Sequence, residues 1–478
     1  MADSGNWDFV VIGGGSAGLV ASRTAASFGA KTLLIEGARL GGDCLWTGCV
    51  PSKSLIASAA AATAARDSAH LGVASAEASI DFAAVMRHVR GAMHEIAPVD
   101  SPEALAKDGV EVLRGHARFT GPRALDVDGR RIGFVQAMIA TGGSPAVPGI
   151  AGADDLELLT SESIWELTEL PRRLVVIGGG AIGCEIAQAM ARLGSQVTIV
   201  HRGPRLLPKE EERASAIVTA ALRRDGVTVL TSRGSTALAG DGTRLGGTVT
   251  LDDGQSVPFD AILAAVGRRP NTGSLDAATG GVRLDGSGHV EVNARLRTSN
   301  PRVWAAGDVT ALAHFTHTAG VNGSIAASNA VLGLTRSIDT VAVPRVTFTH
   351  PEVATVGLLA SDAAAKGLIT RSIDHHHVDR AVAEGATTGY TSLLVDRRGR
   401  VRGATIVGPR AGESLGEASL AVKNGMSTSD IAGTTHAYPT FSDALWNAAV
   451  ADVRARLGSG LTARATRVLR ATRARRLR

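Results

Sequence analysis

Two stretches of the chain share one pattern of apolar, glycine and alanine positions. Residues 8–36 read DFVVIGGGSAGLVASRTAASFGAKTLLIE, and residues 173–201 read RLVVIGGGAIGCEIAQAMARLGSQVTIVH. Each opens with a short apolar run, passes through consecutive glycines, and continues as an Ala-rich segment ending at Gly29 or Gly194 before a second apolar run. The pattern predicts strand, tight turn, helix and parallel strand, twice, and so an α/β fold with two Rossmann-like dinucleotide-binding units. Gly13, Gly15 and Gly18 fit G-x-G-x-x-G, as do Gly178, Gly180 and Gly183. Glycine there lets backbone N–H groups approach a pyrophosphate at the positive end of a helix. One such motif is weak evidence; two, each correctly flanked, are strong.

The two units differ where their second strands end. The first ends at Glu36, a carboxylate suited to ribose hydroxyls. The second continues as His201-Arg202-Gly-Pro-Arg205, where cations suit a 2′-phosphate. This favours NADPH over NADH at the second site.

Composition narrows the class. At 478 residues, with 3% aromatic and 20% charged residues, the chain fits a globular α/β protein of several domains. No apolar run reaches the roughly 18 residues a membrane span needs. The opening MADSGNWDFVVIGGG is acidic and runs straight into a strand, so no signal peptide is expected. The formal charge of +5 includes seven arginines between Arg464 and Arg478, so the rest of the chain carries −2. A basic tail on a near-neutral body is expected to be solvated or fraying, with an anionic surface as its alternative partner and no nucleic acid expected.

Two of the three cysteines lie in GGDCLWTGCVPSK, residues 41–53. Cys44 and Cys49 could form a structural bridge, ligate a metal or act as a redox pair. Three cysteines are too few for a disulfide scaffold, which points to a reducing cytoplasm and to catalysis or metal binding. A metal site would need two more ligands, and no Cys-His cluster lies nearby in sequence. Cys184, behind the second glycine turn, is expected to be packing.

The chain resembles the flavoprotein disulfide reductases, the group containing glutathione reductase, dihydrolipoyl dehydrogenase and mercuric reductase. The resemblance runs from about Asp8 to Asp443. Beyond the glycine units and the cysteine pair it rests on GHARF (115–119), ATGGSPAVPGI (140–150), VGRRPNT (266–272), VWAAGDV (303–309), FTHPEVATVG (348–357) and GATIVGPRAGE (403–413). It implies an FAD domain over 1–150 and 271–338, an NAD(P) domain over 151–270, an α+β interface domain over 339–460, and a flexible basic tail over 461–478. It also implies FAD and NADPH or NADH as cofactors, and a homodimer sharing its active site.

By position, the resemblance makes Cys49 the flavin-side thiol and Cys44 the interchange thiol facing substrate. Val50-Pro51-Ser52-Lys53 should open a helix whose dipole lowers the thiol pKa. Lys53 resembles the lysine beside the flavin, and Glu185 its carboxylate partner. Gly13, Gly15, Ser16, Gly18, Glu36, Gly42, Lys53, Ala117, Ala140, Thr141, Gly142 and Asp308 are expected at FAD. Gly178, Gly180, Gly183, His201, Arg202, Arg205 and Gly267 are expected at the nicotinamide nucleotide.

The chain departs from these relatives near its end. Glutathione reductase and dihydrolipoyl dehydrogenase carry a His-Pro followed by an acid; the matching stretch here is HAYPTFSDALW, 436–446. Tyr438 precedes Pro439 where the His would stand, Asp443 replaces the customary Glu, and His436 lies two residues earlier. Tyrosine titrates near 10 and is a poor proton shuttle at neutral pH. Mercuric reductase also lacks the His, but its C-terminal cysteine pair has no counterpart, since no cysteine follows Cys184. The expected acceptor is a metal ion, a quinone or an unusual disulfide, with dihydrolipoyl dehydrogenase as the alternative and a redox-sensing binding protein ranked below both. Arg23 is a weaker candidate for a substrate carboxylate, and His375, His376 and His377 are expected to form a solvated loop. No resident metal is expected.

Overall fold

The structure, a computed structural model, describes residues 7–74 and 79–477. The chain divides into two units: 1–64, 77–202 and 232–338 form one, and 65–76, 203–231 and 339–478 the other.

The first unit is built on a sheet in which Val110–Arg114, Thr32–Glu36, Trp7–Ile12 and Arg130–Ile139 lie side by side and parallel. Val303–Ala305 pairs parallel with the end of Arg130–Ile139, bringing a distant stretch of chain beside it. Ala124–Val127 and Ala117–Gly121 extend the sheet antiparallel. The central strands bury both faces, so their sequence is continuously apolar. Val10, Ile12, Leu33, Ile35 and Ile139 join one core cluster, while Phe9, Val11, Leu34 and Met138 join the other. The second cluster takes in Ala17, Ala21 and Ala25 of helix Ser16–Ser27 and Ile325, Ala326 and Ala327 of helix Thr316–Leu332.

The second glycine motif sits in a parallel array in which Gln196–His201, Arg173–Ile177 and Ala261–Ala264 are neighbours. Helix Ala181–Arg192 follows its turn. Gly143–Pro145 and Arg268–Pro270 pair antiparallel where the chain leaves and re-enters the first sheet's surroundings.

The other unit centres on an antiparallel sheet in the order Arg345–Thr347, Glu352–Gly357, Val401–Gly408, Tyr390–Val395, Ile369–Asp374. Helices Ala411–Asn424 and Asp443–Leu457 cover it through Leu415, Ala418, Leu445 and Ala448. Segment 203–231 is tied to this sheet by Glu210, which accepts from Arg345 and Thr355, and by Glu211, which accepts from Tyr390 and Thr405.

Three expectations change. His375–His377 form a 3₁₀ turn, and His375 is buried with Nε2 3.0 Å from Thr391 Oγ1. Burial pushes its imidazole down to about 4, so it packs as a neutral group. Arg23 is committed to structure: it donates to Asp108, Asp100 and the Val99 carbonyl. Residues Gly460–Arg476 are helical, because Ala, Arg and Leu are good helix formers. Among the described residues, no helix is long and apolar enough to cross a membrane.

Candidate active site

The two glycine turns are built alike. Gly13 has φ +104° and a Cβ there would lie 2.4 Å from the Ala140 carbonyl oxygen. A Cβ on Gly18 would lie 1.8 Å from the Gly13 oxygen, so helix and strand meet backbone to backbone. Gly178 and Gly183 repeat this, at 2.2 Å from the Ala265 oxygen and 2.1 Å from the Gly178 oxygen. Gly15 and Gly180 cap the helices starting at Ser16 and Ala181. With no side chain to cover them, these N–H groups form a cradle that fits a pyrophosphate.

The side chains that close each turn differ. Glu36 Oε2 accepts from Gly14 N–H at 2.5 Å and Oε1 from Ala38 N–H at 2.6 Å. In the second turn His201 Nδ1 accepts from Gly179 N–H at 3.2 Å, which leaves Nε2 as the nitrogen carrying the proton in the neutral ring. Arg202 is exposed. The Arg205 guanidinium donates to the Leu207 and Pro208 carbonyls.

The cysteines lie beside the first turn. Gly42 has φ +53°, and a Cβ on it would lie 2.7 Å from Gly15 Cα, so this backbone touches the glycine turn. Cys44 sits half-buried on the short helix Gly42–Trp46, and Cys49 is the exposed first residue of helix Cys49–Asp67. Both thiols are free. Cys49 Sγ lies 3.2 Å from the hydroxyl of Thr316, itself the first residue of helix Thr316–Leu332. Two helix N-termini therefore face one sulfur, and each favours a thiolate.

The Cys49 thiol is lowered to about 6, chiefly by the hydrogen bond from Cys44, helped by the Thr316 hydroxyl and the Lys53 ammonium and opposed by burial and Glu185. Cys44 is pushed up, first by its hydrogen bond to Cys49 and then by burial. The pair thus holds one proton, on Cys44. Lys53 Nζ donates to Glu185 Oε2 at 2.9 Å, with Glu185 buried. Cys184 is buried and its thiol is pushed up by burial.

Around these groups, Asn271 Nδ2 donates to the Thr141 carbonyl at 3.1 Å, Thr141 donates to the Asn271 carbonyl at 2.7 Å, and Gly142 turns with φ +66°. Gly267 has φ +128°, and its carbonyl accepts from Ala146 N–H. Ala117 opens a strand and is buried, as is Ala140.

Sequence reasoning missed several partners. Arg268 bridges Asp43, the Gly143 carbonyl and Asp308, the last at 3.1 Å, joining the residue before Cys44 to the expected ribityl ligand. Trp165 Nε1 donates to the Thr47 carbonyl at 2.9 Å and braces the same loop. Arg268 stood inside a quoted motif; Thr316 and Trp165 carried no local signal.

In the other unit, Tyr438 is 72% exposed and its hydroxyl donates to Asp379 at 2.5 Å. This hydrogen bond is the main cause pushing the phenol above its ordinary value. His436 Nε2 lies 2.8 Å from Glu417 and Nδ1 2.9 Å from the Thr434 carbonyl. Its pKa is raised: burial lowers it, but the hydrogen bonds to Glu417 and Thr434 outweigh that. Asp443 is buried and accepts from Thr440 N–H, and its charge adds to the rise at both Tyr438 and His436. Among the described residues, no group of three or more His, Cys, Asp or Glu is arranged to hold a metal.

The first turn, with Glu36, Gly42 and Lys53 about it, has the donor set and bare backbone that FAD needs, and the second turn those of a nicotinamide nucleotide. Comparison with known proteins agrees. Residues 7–331 match the pyridine nucleotide-disulphide oxidoreductase family, and residues 343–449 its dimerisation domain. The chain is 35% identical over 449 residues to a mercuric reductase of Streptomyces lividans, covering 92% of this chain and 94% of that protein. It is 34% identical over 452 residues to a dihydrolipoyl dehydrogenase of Geobacillus stearothermophilus, covering 92% and 95%. Among solved structures it is similar to LpdA of Mycobacterium tuberculosis, with TM-score 0.85, 28% identity and coverage of 92% and 99%. It is also similar to the HOCl-induced flavoprotein disulfide reductase RclA of Escherichia coli, with TM-score 0.82, 26% identity and coverage of 92% and 98%. The dimerisation domain supports a homodimer. The chain belongs to the pyridine nucleotide-disulphide oxidoreductases, enzymes that use FAD and NAD(P)H.

Proposed function

We propose that this enzyme passes two electrons from NAD(P)H through the Cys44–Cys49 disulfide to a thiol-seeking metal ion, a quinone or an unusual disulfide. FAD would occupy 1–150 and 271–338, the nicotinamide nucleotide 151–270, and 339–460 would form the dimer interface in a cytoplasmic protein. FAD, when bound, relays the electron pair between nicotinamide and disulfide. The chain's own residues account for the rest. Reduction breaks the S–S bond, takes two electrons and one proton, and yields a Cys49 thiolate and a Cys44 thiol. The thiolate is held by Cys44, Thr316 and the two helix starts, while Lys53, paired with Glu185, adds positive charge. Electrons leave when the acceptor takes them and the disulfide re-forms, releasing the Cys44 proton.

The observation that supports the acceptor class is Tyr438, which precedes Pro439 where the resemblance would put an imidazole and whose hydroxyl donates to Asp379. A phenol raised above its ordinary value donates a hydrogen bond but shuttles protons poorly near neutrality. Of the three proposed acceptors, a metal ion, which needs no proton on a departing sulfur, suits this site better than a disulfide. RclA has been solved as a Cu(II) complex, and mercuric reductases are among the relatives, which favours a metal ion within this class.

Anaerobic titration with NADPH and then NADH tests the first half. Wild type should gain a long-wavelength absorbance band after two electrons, and Cys44→Ser should alter it. Direct bleaching without that band would remove the cysteines from the path. Tyr438→Phe and Asp379→Asn should leave this titration unchanged and slow only reoxidation by acceptor.

His436 with Glu417 favours a second reading, dihydrolipoyl dehydrogenase, because a His–carboxylate pair survives two residues from the usual position. Lipoamide turnover with NAD⁺ at rates above those with metal ions or quinones, lost in His436→Gln, would select it.

A further inference from the structure

After Asp452 the chain has nine arginines and no Asp, Glu or Lys. Six of these arginines, 464, 467, 470, 473, 475 and 476, lie on helix Gly460–Arg476 and are exposed. Among the described residues none of the six pairs with a carboxylate; the side-chain bond seen is Arg467 Nε to the Ala463 carbonyl at 3.1 Å. A fold-stabilising role would give these guanidinium groups acidic partners, and among the described residues the helix has none.

Their spacing is informative. Residues 464, 467, 470, 473 and 476 recur every third position, so on an α-helix each is turned about 60° from the last and together they cover most of the circumference. The stripe those five leave contains Ala465, Val468 and Thr472, which recur at three and four residues and so share a face, with Arg475 at its edge near the helix end. Val468 is 64% exposed and Leu469, next to that stripe, 69%. Unpaired cations interleaved with aliphatic side chains in water call for a partner that offers both negative charge and hydrocarbon. A nucleic acid would satisfy the arginines and leave Val468 and Leu469 unexplained.

We propose that helix Gly460–Arg476 docks the enzyme on an anionic phospholipid surface. The helix lies along the membrane with Val468 and Leu469 at the acyl boundary. The long arginine stems let the guanidinium groups reach headgroup phosphates from both flanks. Docking of this kind is independent of the choice of electron acceptor.

Full-length holoenzyme would be sedimented with vesicles of pure phosphatidylcholine and with vesicles containing one quarter phosphatidylglycerol, across a salt series. The expected result is binding to the anionic vesicles alone, falling with salt. Replacing Arg464, Arg467, Arg470 and Arg473 by Gln should weaken it about fivefold per arginine. V468D with L469D should weaken it further at every salt concentration. NAD(P)H reduction in solution and helical circular dichroism should be unchanged in both variants. Absence of binding at low salt, or wild-type binding by the four-arginine variant, overturns the proposal. So does binding to a twenty-base-pair duplex that is tighter than to vesicles and indifferent to V468D with L469D, which would assign the helix to nucleic acid.

Discussion

The turns at Gly13–Gly18 and Gly178–Gly183 are nearly superposable in their constraints, yet they present different chemistry to a nucleotide. Each third glycine is pressed against the oxygen of its first, at 1.8 and 2.1 Å from a virtual Cβ, so each backbone is held by the same steric rule. The next N–H, of Gly14 or Gly179, is satisfied by a carboxylate in one and by an imidazole in the other. On the proposed reading, the backbone motif makes room for a dinucleotide and the residue at the end of the second strand selects its kind.

The largest test of this contrast removes the cradles one at a time. Gly18→Ala should lose FAD, give colourless protein and cost about 1–3 kcal/mol of stability in thermal melts. Gly183→Ala should stay yellow and fail to be reduced by either nucleotide. Loss of flavin in both would end the claim that the turns serve separate ligands. Next, His201→Glu copies the first turn's acceptor into the second. The ratio of kcat/KM for NADPH over NADH should fall on the order of 10- to 100-fold, the scale of one charged hydrogen bond. Glu36→Gln keeps an acceptor for Gly14 and removes the charge; FAD should dissociate about tenfold more readily, measured by flavin fluorescence on dilution.

Cys49 extends the contrast, because there a third helix start meets a fourth at Thr316. With the thiol lowered to about 6, the long-wavelength band of reduced enzyme should grow as pH rises through about 6. Thr316→Val should move that midpoint up by about one unit, since one bond to the anion is lost. For stability, the thiolate's contribution to the reduced protein is complete above the ordinary thiol range and is lost as pH falls through about 6. In the disulfide state the dependence should vanish.

Much of this site was legible before folding. Both glycine turns and the Cys44–Cys49 pair stood in local motifs, while the Lys53–Glu185 pairing, 132 residues apart, came from the resemblance. A turn that needs bare backbone leaves glycines at set spacing, and a helix start leaves its own signature in a few residues. What lay beyond reach was long-range. Thr316 and Cys49 are 267 residues apart, Arg268 and Asp43 225, and Tyr438 and Asp379 59. The contacts of Arg205 to the Leu207 and Pro208 carbonyls left no local signal either. His375 looked solvated until the sheet buried it against Thr391.

The amino-acid order by itself determined two parallel dinucleotide units and a cysteine pair at a helix start. Each depends on contacts a few residues long, where sterics and hydrogen bonding leave little choice. Tertiary structure alone decided which hydroxyl faces Cys49, which carboxylate holds Tyr438 and which arginines remain available for a ligand. Those pairings depend on how strands distant in the chain come side by side, and nothing in the local sequence constrains that.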